Sequence, residues 1–322
     1  MNEDLSTLHS IHVVAGVIEN TQGEILLTRR PDHVHQGGLW EFPGGKCEQG
    51  ESIEQALVRE LKEELDIDVQ QARPLIRIDH TYPDQRRVLL DVWRVEHWAG
   101  QPWGREQQRM EWCAMKALQD RAFPSANLPI LSALRLPSFY LITPEPSSWR
   151  DKKFFYQLEA CLDQQISLIQ LRAKHLTDKE YCYYAEKALT LCDRHGATLM
   201  VNTTVEIALS VGASGLHLTC ERAQCYTERP LEKSWNISTS CHSLAEIQHA
   251  HRLQVDFIVL SPVKMTPSHI ETPPLGWHQF FHLTEQSDCP VFALGGMNKQ
   301  DVVKAWAHGG QGIAAIRSLW GN

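Results

Sequence analysis

The stretch from Gly44 to Ile67, GGKCEQGESIEQALVRELKEELDI, constrains the fold more than any other part of this chain. A glycine-rich loop feeds one helix, for which Ser52 supplies an N-cap and Gln55, three residues on, completes a capping box. With the register set there, at about 100° per residue, Glu60 and Glu64 project nearly with Ile53 and Leu57, and Glu63 falls beside Ala56. The acids continue an apolar stripe, which predicts all three on the protein-facing side. A solvated acidic face would lie opposite, with Gln55 and Lys62, where like charges repel only mildly. Carboxylates crowded against protein need a cation between them, and an all-oxygen cluster suits Mg²⁺ or Mn²⁺.

At 322 residues the chain is long enough for two domains, each with its own core. Its net charge of −8 argues against an electrostatic grip on long nucleic acid and leaves a mononucleotide, carried with its metal, as the easier anionic ligand. Nine cysteines without a C-x-x-C pair point to a reducing compartment and to no zinc site. The start, MNEDLSTLHS, lacks the basic and apolar segments of a signal peptide, and no apolar run reaches the roughly 18 to 20 residues of a membrane span. A cytoplasmic protein with no membrane partner is expected.

In the first half, Ile11 to Ile18 reads as a strand, Asn20 to Gly23 as a turn and Glu24 to Thr28 as a partner strand. Arg29 and Arg30 close it, either as strand-end solvent contacts or as phosphate or base contacts. Gly37 to Gly45 brings a strand into the loop, where missing side chains let backbone approach a ligand. Phe42 there is a core residue, a stacking wall, or both. Strands around Leu75 to His80 and Val88 to His97 follow the helix.

Gly45, Glu51, Arg59-Glu60-Leu61, Glu63-Glu64 and Ile67 together resemble the Nudix box, with Asp66 in place of its second glycine. A helix end in the left-handed conformation accepts Asp at a cost of roughly 1 kcal/mol. Beyond the box, TRR at Thr28 to Arg30, LWEFPGGK, YPD at Tyr82 to Asp84, GQPWGRE at Gly100 to Glu106 and FPSANLP at Phe123 to Pro129 resemble MutT-type 8-oxo-dGTP diphosphatases. The resemblance implies an α/β/α Nudix sandwich, a nucleoside triphosphate substrate and nucleotide-pool sanitation. It makes Glu60, Glu63 and Glu64 metal ligands, completed or supported by the Gly45 carbonyl and Glu106, with Arg59 and Glu51 pairing to hold loop against helix. Asn127 would read the oxidised purine edge, with Arg30, Arg86 and Phe42 around the base. Glu60 and Glu106 are both candidates for the general base, and a shared cluster titrates as a unit.

Phe123 through Pro137 reads as a proline-punctuated junction, dividing the chain into residues 1–136 and 137–322. Beyond it, eight candidate strands alternate with helical patterns: Phe139 to Thr143, Ser167 to Arg172, Thr198 to Asn202, Gly215 to Leu218, Asn236 to Ser240, Phe257 to Ser261, Val291 to Leu294 and Gly312 to Ile316. Such alternation implies a TIM (β/α)₈ barrel, so the fold class is α/β and α+β. Polar residues at strand carboxyl ends then face the mouth: Gln170, Arg172, Lys174, Asn202, His217, Ser240 and His242, with Gly295 and Gly296 placed for a phosphate.

YLIT, QLRAK, GASGLHL, SCHS, SPVKMT and ALGGM resemble thiamine phosphate synthases and their TenI relatives. Where the synthases carry two acids that hold Mg²⁺, this chain has Thr203 and Arg222, and about His269 stands where they have a phosphate-contacting lysine. The resemblance therefore implies a retained phosphate cup and a lost metal site. The barrel would bind a thiamine-related phosphate ligand in a TenI-like role with His242 as proton carrier, as a non-catalytic sensor, or as an inactive partner domain. The attached barrel also leaves a thiamine-pathway pyrophosphate as an alternative substrate for the Nudix half.

Overall fold

The computed structural model describes residues 11–104, 109–148, 151–266 and 273–321. The chain separates into two units, Met1–Arg135 and Leu136–Asn322. In the first, the elements run β1 (Ile11–Ile18), β2 (Glu24–Arg29), β3 (Trp40–Glu41), β4 (Gly44–Lys46), α1 (Ile53–Leu65), β5 (Asp68–Thr81), β6 (Arg87–Ala99), β7 (Met110–Ala114) and α2 (Leu128–Arg135). One sheet has the order β4-β1-β6-β5, with β1 parallel to β6 in the register Ile11↔Val88 to Ile18↔Val95. A second has the order β3-β2-β7.

Alternation along β1 assigns its two faces. Val14 and Ile18 pack with Leu57, Leu61 and Leu65 of α1, while Ala15 and Val17 pack with Ile130, Ala133 and Leu134 of α2. The sheet thus has a helix on each face, an α/β/α sandwich. Each fully buried leucine of α1 contributes about 2 kcal/mol of transfer free energy, which anchors the helix whose other residues carry the acids.

Three sequence expectations are corrected here. Gly37 to Gly45 is two short strands in different sheets, because Gly44 and Gly45 pair with Val14 and Ala15 of β1 whereas Trp40 and Glu41 pair with β2. The strands after the box are longer than the apolar runs suggested, since the β5–β6 ribbon keeps its backbone ladder from Asp68↔Ala99 to Thr81↔Arg87 through polar residues. Phe123 to Arg135 is part of the first core: Phe123, Ile130, Ala133 and Leu134 are buried in it.

In the second unit, strands β8 (Phe139–Ile142), β9 (Leu168–Leu171), β10 (Thr198–Val201), β11 (Gly215–Leu218), β12 (Asn236–Cys241), β13 (Phe257–Leu260), β14 (Val291–Ala293) and β15 (Gly312–Ala315) close into one parallel barrel. Helices follow them in turn: α3 (Lys152–Asp163), α4 (Asp178–Arg194), α5 (Val205–Ser210), α6 (Cys220–Ala223), α7 (Leu244–Arg252), α8 (Gly276–Thr284), α9 (Asp301–Ala307) and α10 (Arg317–Trp320). Tyr140, Leu168, Met200, Phe257, Val259, Phe292 and Ala314 fill the interior, and the alternate residues Leu141, Ile169, Leu199 and Ile258 meet the helices. The period of two therefore leaves only the strand ends free for chemistry. Among the described residues no helix is long and apolar enough to cross a membrane.

Candidate active site

Helix α1 begins at the Ser52–Gln55 capping box and ends at Asp66, whose φ of 57° and ψ of 27° are left-handed. The Asp66 amide donates to the Lys62 carbonyl at 3.1 Å, and the Lys62 ammonium lies 3.1 Å from Asp66 Oδ1 and 3.0 Å from Asp68 Oδ1. Both helix ends are thus satisfied locally, and the register of the acids follows.

Strand β4 docks on those acids through its two glycines. The Gly44 amide donates to Glu64 Oε2 at 3.0 Å. At Gly44, with φ of 148°, a Cβ would sit 2.1 Å from the Val14 carbonyl oxygen; at Gly45 it would sit 2.3 Å from Glu60 Oε2. One glycine lets the strand meet its neighbour in the sheet, and the next lets it meet the Glu60 carboxylate.

Arg59 ties the arrangement together. Its Nε donates to Glu51 Oε1 at 2.9 Å, Nη2 to Glu51 Oε2 at 2.9 Å and to the Lys46 carbonyl at 3.0 Å, and Nη1 to Glu60 Oε1 at 2.9 Å and Glu63 Oε2 at 3.3 Å. The fork on Glu51 is bidentate, the strongest arrangement for this pair. It holds the Glu51 carboxyl below the usual carboxylate range, with the Glu48 amide adding to the effect. The bonds to Glu51 and Glu60 push the Arg59 pKa up.

Glu63 departs from the expectation that all three acids face protein: its side chain is 60% exposed. The Ala56 beside it is fully buried. A methyl group stays under the helix–sheet seam, whereas the longer glutamate, three bonds from its backbone to its carboxyl carbon, runs out past it. The network of Glu51, Arg59, Glu60 and Glu63 thus runs from half-buried to open. Among the described residues, no group of three or more His, Cys, Asp or Glu surrounds a common metal position. Glu106 lies outside the described residues.

The residues expected around a base come from separate elements. Arg30 pairs with Glu41, and its Nε donates to the His35 carbonyl at 3.1 Å. Burial pushes the Glu41 carboxyl up while Arg30 opposes the shift. Phe42 is 3% exposed and stacks on Phe123, with ring centroids 5.7 Å apart, so most of its ring belongs to the core. Asn127 is half-buried at the end of a short 3₁₀ turn, Ser125–Asn127. Arg86 is exposed and lies 3.2 Å from Asp84.

Tyr82 connects these pieces, a role that its place in the YPD motif did not disclose. Its ring meets those of His35 and His80, and its hydroxyl meets the Ala126 backbone next to Asn127. Ser125 Oγ lies 2.8 Å from His80 Nε2, which pins the same turn to β5. Burial pushes the Tyr82 phenol up, and Arg30 lies near enough to oppose that shift.

At the barrel mouth Gln170 is buried, Arg172 and Asn202 are half-buried, and Lys174 and His242 are exposed. Arg172 Nη1 lies 2.9 Å from Glu145 Oε1, which also accepts from the Lys174 amide at 3.1 Å. Asn202 joins Gln170 to Arg222, with bonds of 2.9 and 3.0 Å. His242 Nδ1 lies 2.7 Å from the Ser261 carbonyl oxygen. Gly295 and Gly296 both have positive φ, 100° and 64°, and a Cβ on either would strike the segment Pro262 to Met265. His269 lies outside the described residues. Glu145 at the mouth and Tyr140 beneath it were missed from sequence, because nothing in their local spacing signals partners 27 and 30 positions away.

Family models match the two units separately: the NUDIX domain over residues 14–133, and thiamine monophosphate synthase over residues 139–319, more than half of the chain. The chain belongs to the Nudix family in its amino-terminal unit and to the thiamine monophosphate synthase family in its carboxyl-terminal unit. The first is 41% identical to the 8-oxo-dGTP diphosphatase of Escherichia coli K12 over 128 residues, 40% of this chain and 98% of that protein. The second is 32% identical to a putative thiamine-phosphate synthase 2 of Aquifex aeolicus over 183 residues, 57% of this chain and 97% of that one. A solved structure from a study of MutT from Aliivibrio salmonicida and Vibrio cholerae is 44% identical, covers 39% of this chain and 96% of its own, and has a TM-score of 0.35.

Proposed function

We propose that the amino-terminal unit hydrolyses 8-oxo-dGTP to 8-oxo-dGMP and pyrophosphate. The observation that carries this reading is the docking of Gly44 and Gly45 onto Glu60 and Glu64 of a helix locked by the Arg59–Glu51 fork. The 41% identity over 98% of the Escherichia coli enzyme supports the substrate.

The donor set is all oxygen: the carboxylates of Glu60, Glu63 and Glu64 and the Gly45 carbonyl. That set fits a hard divalent cation, Mg²⁺ or Mn²⁺, better than a soft one. Such a cation, when bound, neutralises phosphate charge and lowers the pKa of a coordinated water. For Glu60 and Glu63 to take part they release only Nη1 of Arg59, while its Nε and Nη2 stay on Glu51 and Lys46. Arg59 is therefore a positioning residue, and the loop keeps its place as the acids turn to the ligand.

In the reaction, water adds at the β-phosphorus and the α–β bridging oxygen departs with the nucleoside monophosphate. A carboxylate, Glu60 or Glu106, accepts the water's proton. At the base, the Asn127 amide offers both a donor and an acceptor, so it favours a purine whose N7 has become a donor through oxidation at C8. Ordinary dGTP leaves such a site with an unpaired polar group, and discrimination is large.

The test is a substrate panel on the intact chain with 8-oxo-dGTP, dGTP and hydroxymethylpyrimidine diphosphate. Hydrolysis of 8-oxo-dGTP is expected to dominate, to stop in excess EDTA and to be lost in Glu63→Gln. Preference for the pyrimidine diphosphate would refute the substrate, and full activity of Glu63→Gln would refute the ligand set.

A further inference from the structure

A line of hydrogen-bonded side chains runs from Arg222, past the end of β11, into the barrel interior. Arg222 Nη1 donates to Asn202 Oδ1 at 3.0 Å, Asn202 Nδ2 to Gln170 Oε1 at 2.9 Å, and Gln170 Nε2 to Tyr140 Oη at 3.0 Å. The Tyr140 hydroxyl meets the Ser238 side chain, whose Oγ lies 2.8 Å from His217 Nδ1, and His217 Nε2 lies 3.0 Å from Ser240 Oγ. Tyr140, Gln170, His217 and Ser238 are all buried. Burial beside the Arg222 charge pushes the His217 pKa down to about 3, so the imidazole is neutral. Arg222 is then the full charge in this line.

That charge is half-buried, and among the described residues the protein offers its side chain one acceptor, the neutral amide of Asn202. Three carboxylates that follow barrel strands are engaged elsewhere: Glu145 with Arg172 and the Lys174 amide, Asp301 with Lys264 at 2.6 Å, and Glu246 with the His242 amide at 2.5 Å. A guanidinium carries five N–H donors in a planar fork and is most strongly satisfied by an anionic oxygen pair.

The same geometry does not fit a divalent cation. Asn202 Oδ1, the side-chain oxygen just past the end of β10, already accepts from a positive group. The buried neighbour at Thr203 offers a hydroxyl where a carboxylate would be required.

We propose that the barrel mouth beside Arg222 binds the phosphate or diphosphate end of a small phosphorylated molecule directly, with no divalent cation between protein and ligand. Arg222 supplies the charge, and the Asn202–Gln170–Tyr140 line holds its guanidinium toward the mouth. The site is a metal-independent receptor for a phosphorylated ligand, and the metal-assisted departure of pyrophosphate that the family name suggests is not among its reactions. The inference is independent of the chemistry of the amino-terminal unit.

The test is isothermal titration of the full chain with sodium pyrophosphate, and separately with sodium phosphate, in excess EDTA. Saturable binding of at least one anion is expected without metal. Arg222→Gln should weaken it about tenfold to a hundredfold, the worth of a charge-assisted hydrogen bond, and Arg222→Lys should restore part of the loss. Melting curves check that both variants fold, and Asn202→Ala, which frees the guanidinium from its holder, should weaken binding as well. Binding that appears only when Mg²⁺ is added, no binding of either anion in EDTA, or undiminished binding by a folded Arg222→Gln would each overturn the proposal.

Discussion

Replacing Gly45 by alanine isolates the contact between β4 and the acidic helix α1. Gly45 does not have a positive φ, so alanine meets no backbone strain there. A Cβ would lie 2.3 Å from Glu60 Oε2 and 2.4 Å from its carboxyl carbon, whereas ordinary contact begins at 3.4 Å. The carboxylate must retreat by about 1 Å, a displacement that costs on the order of a hundredfold when it moves a reacting group. Because the obstructing atoms are the far end of a flexible side chain, the fold itself loses little. Reduced freedom of the unfolded chain gives alanine about 0.4 to 1 kcal/mol in compensation. The expected phenotype is therefore a protein that melts within a few degrees of wild type with kcat for 8-oxo-dGTP about a hundredfold lower. Steady-state kinetics beside calorimetry measures both. Wild-type kcat in a folded Gly45→Ala variant would refute the placement of Glu60 at the chemistry, and an unfolded variant would refute the steric reasoning.

Two further outcomes are expected. An unfolded histidine takes up a proton as pH falls through about 6.5, whereas buried His217 resists until about 3. Its contribution is full above the unfolded value and declines on acidification across that window at about 1.4 kcal/mol per pH unit. In denaturant titrations at about pH 7 and about pH 4, His217→Gln should flatten that decline, and an unchanged slope would contradict the neutral assignment. At the end of α1, Asp66→Gly relieves a left-handed residue and should stabilise the first unit by up to about 1 kcal/mol. The lost contact with Lys62 is solvent-exposed and offsets little of this gain. A lower melting temperature would show that the lysine bridge outweighs the strain.

Much of the site was legible because its signals are local. Ser52 and Gln55 lie within one turn, as do Glu60, Glu63 and Glu64, so helical geometry alone sets their order around the axis. The exposure of Glu63 was not legible, since side-chain length against the edge of a sheet decides it and periodicity carries no information on where that edge falls. The connection of Tyr82 to the Asn127 turn was equally hidden, because it joins the end of β5 to a segment more than forty positions later. The barrel strands were found from their apolar runs, but each polar strand end acquires its meaning from a neighbour in another βα unit.

Local sequence therefore determined the two folds, the capped acidic helix and the replacement of two expected acids by Thr203 and Arg222, because chain spacing and residue identity suffice for each. Tertiary structure decided which charges meet. Arg59 gathers Glu51, Glu60 and Glu63 under one guanidinium, and Arg222 leans on a neutral amide instead of a carboxylate. Electrostatic energy depends on separation and burial in space, and sequence distance specifies neither.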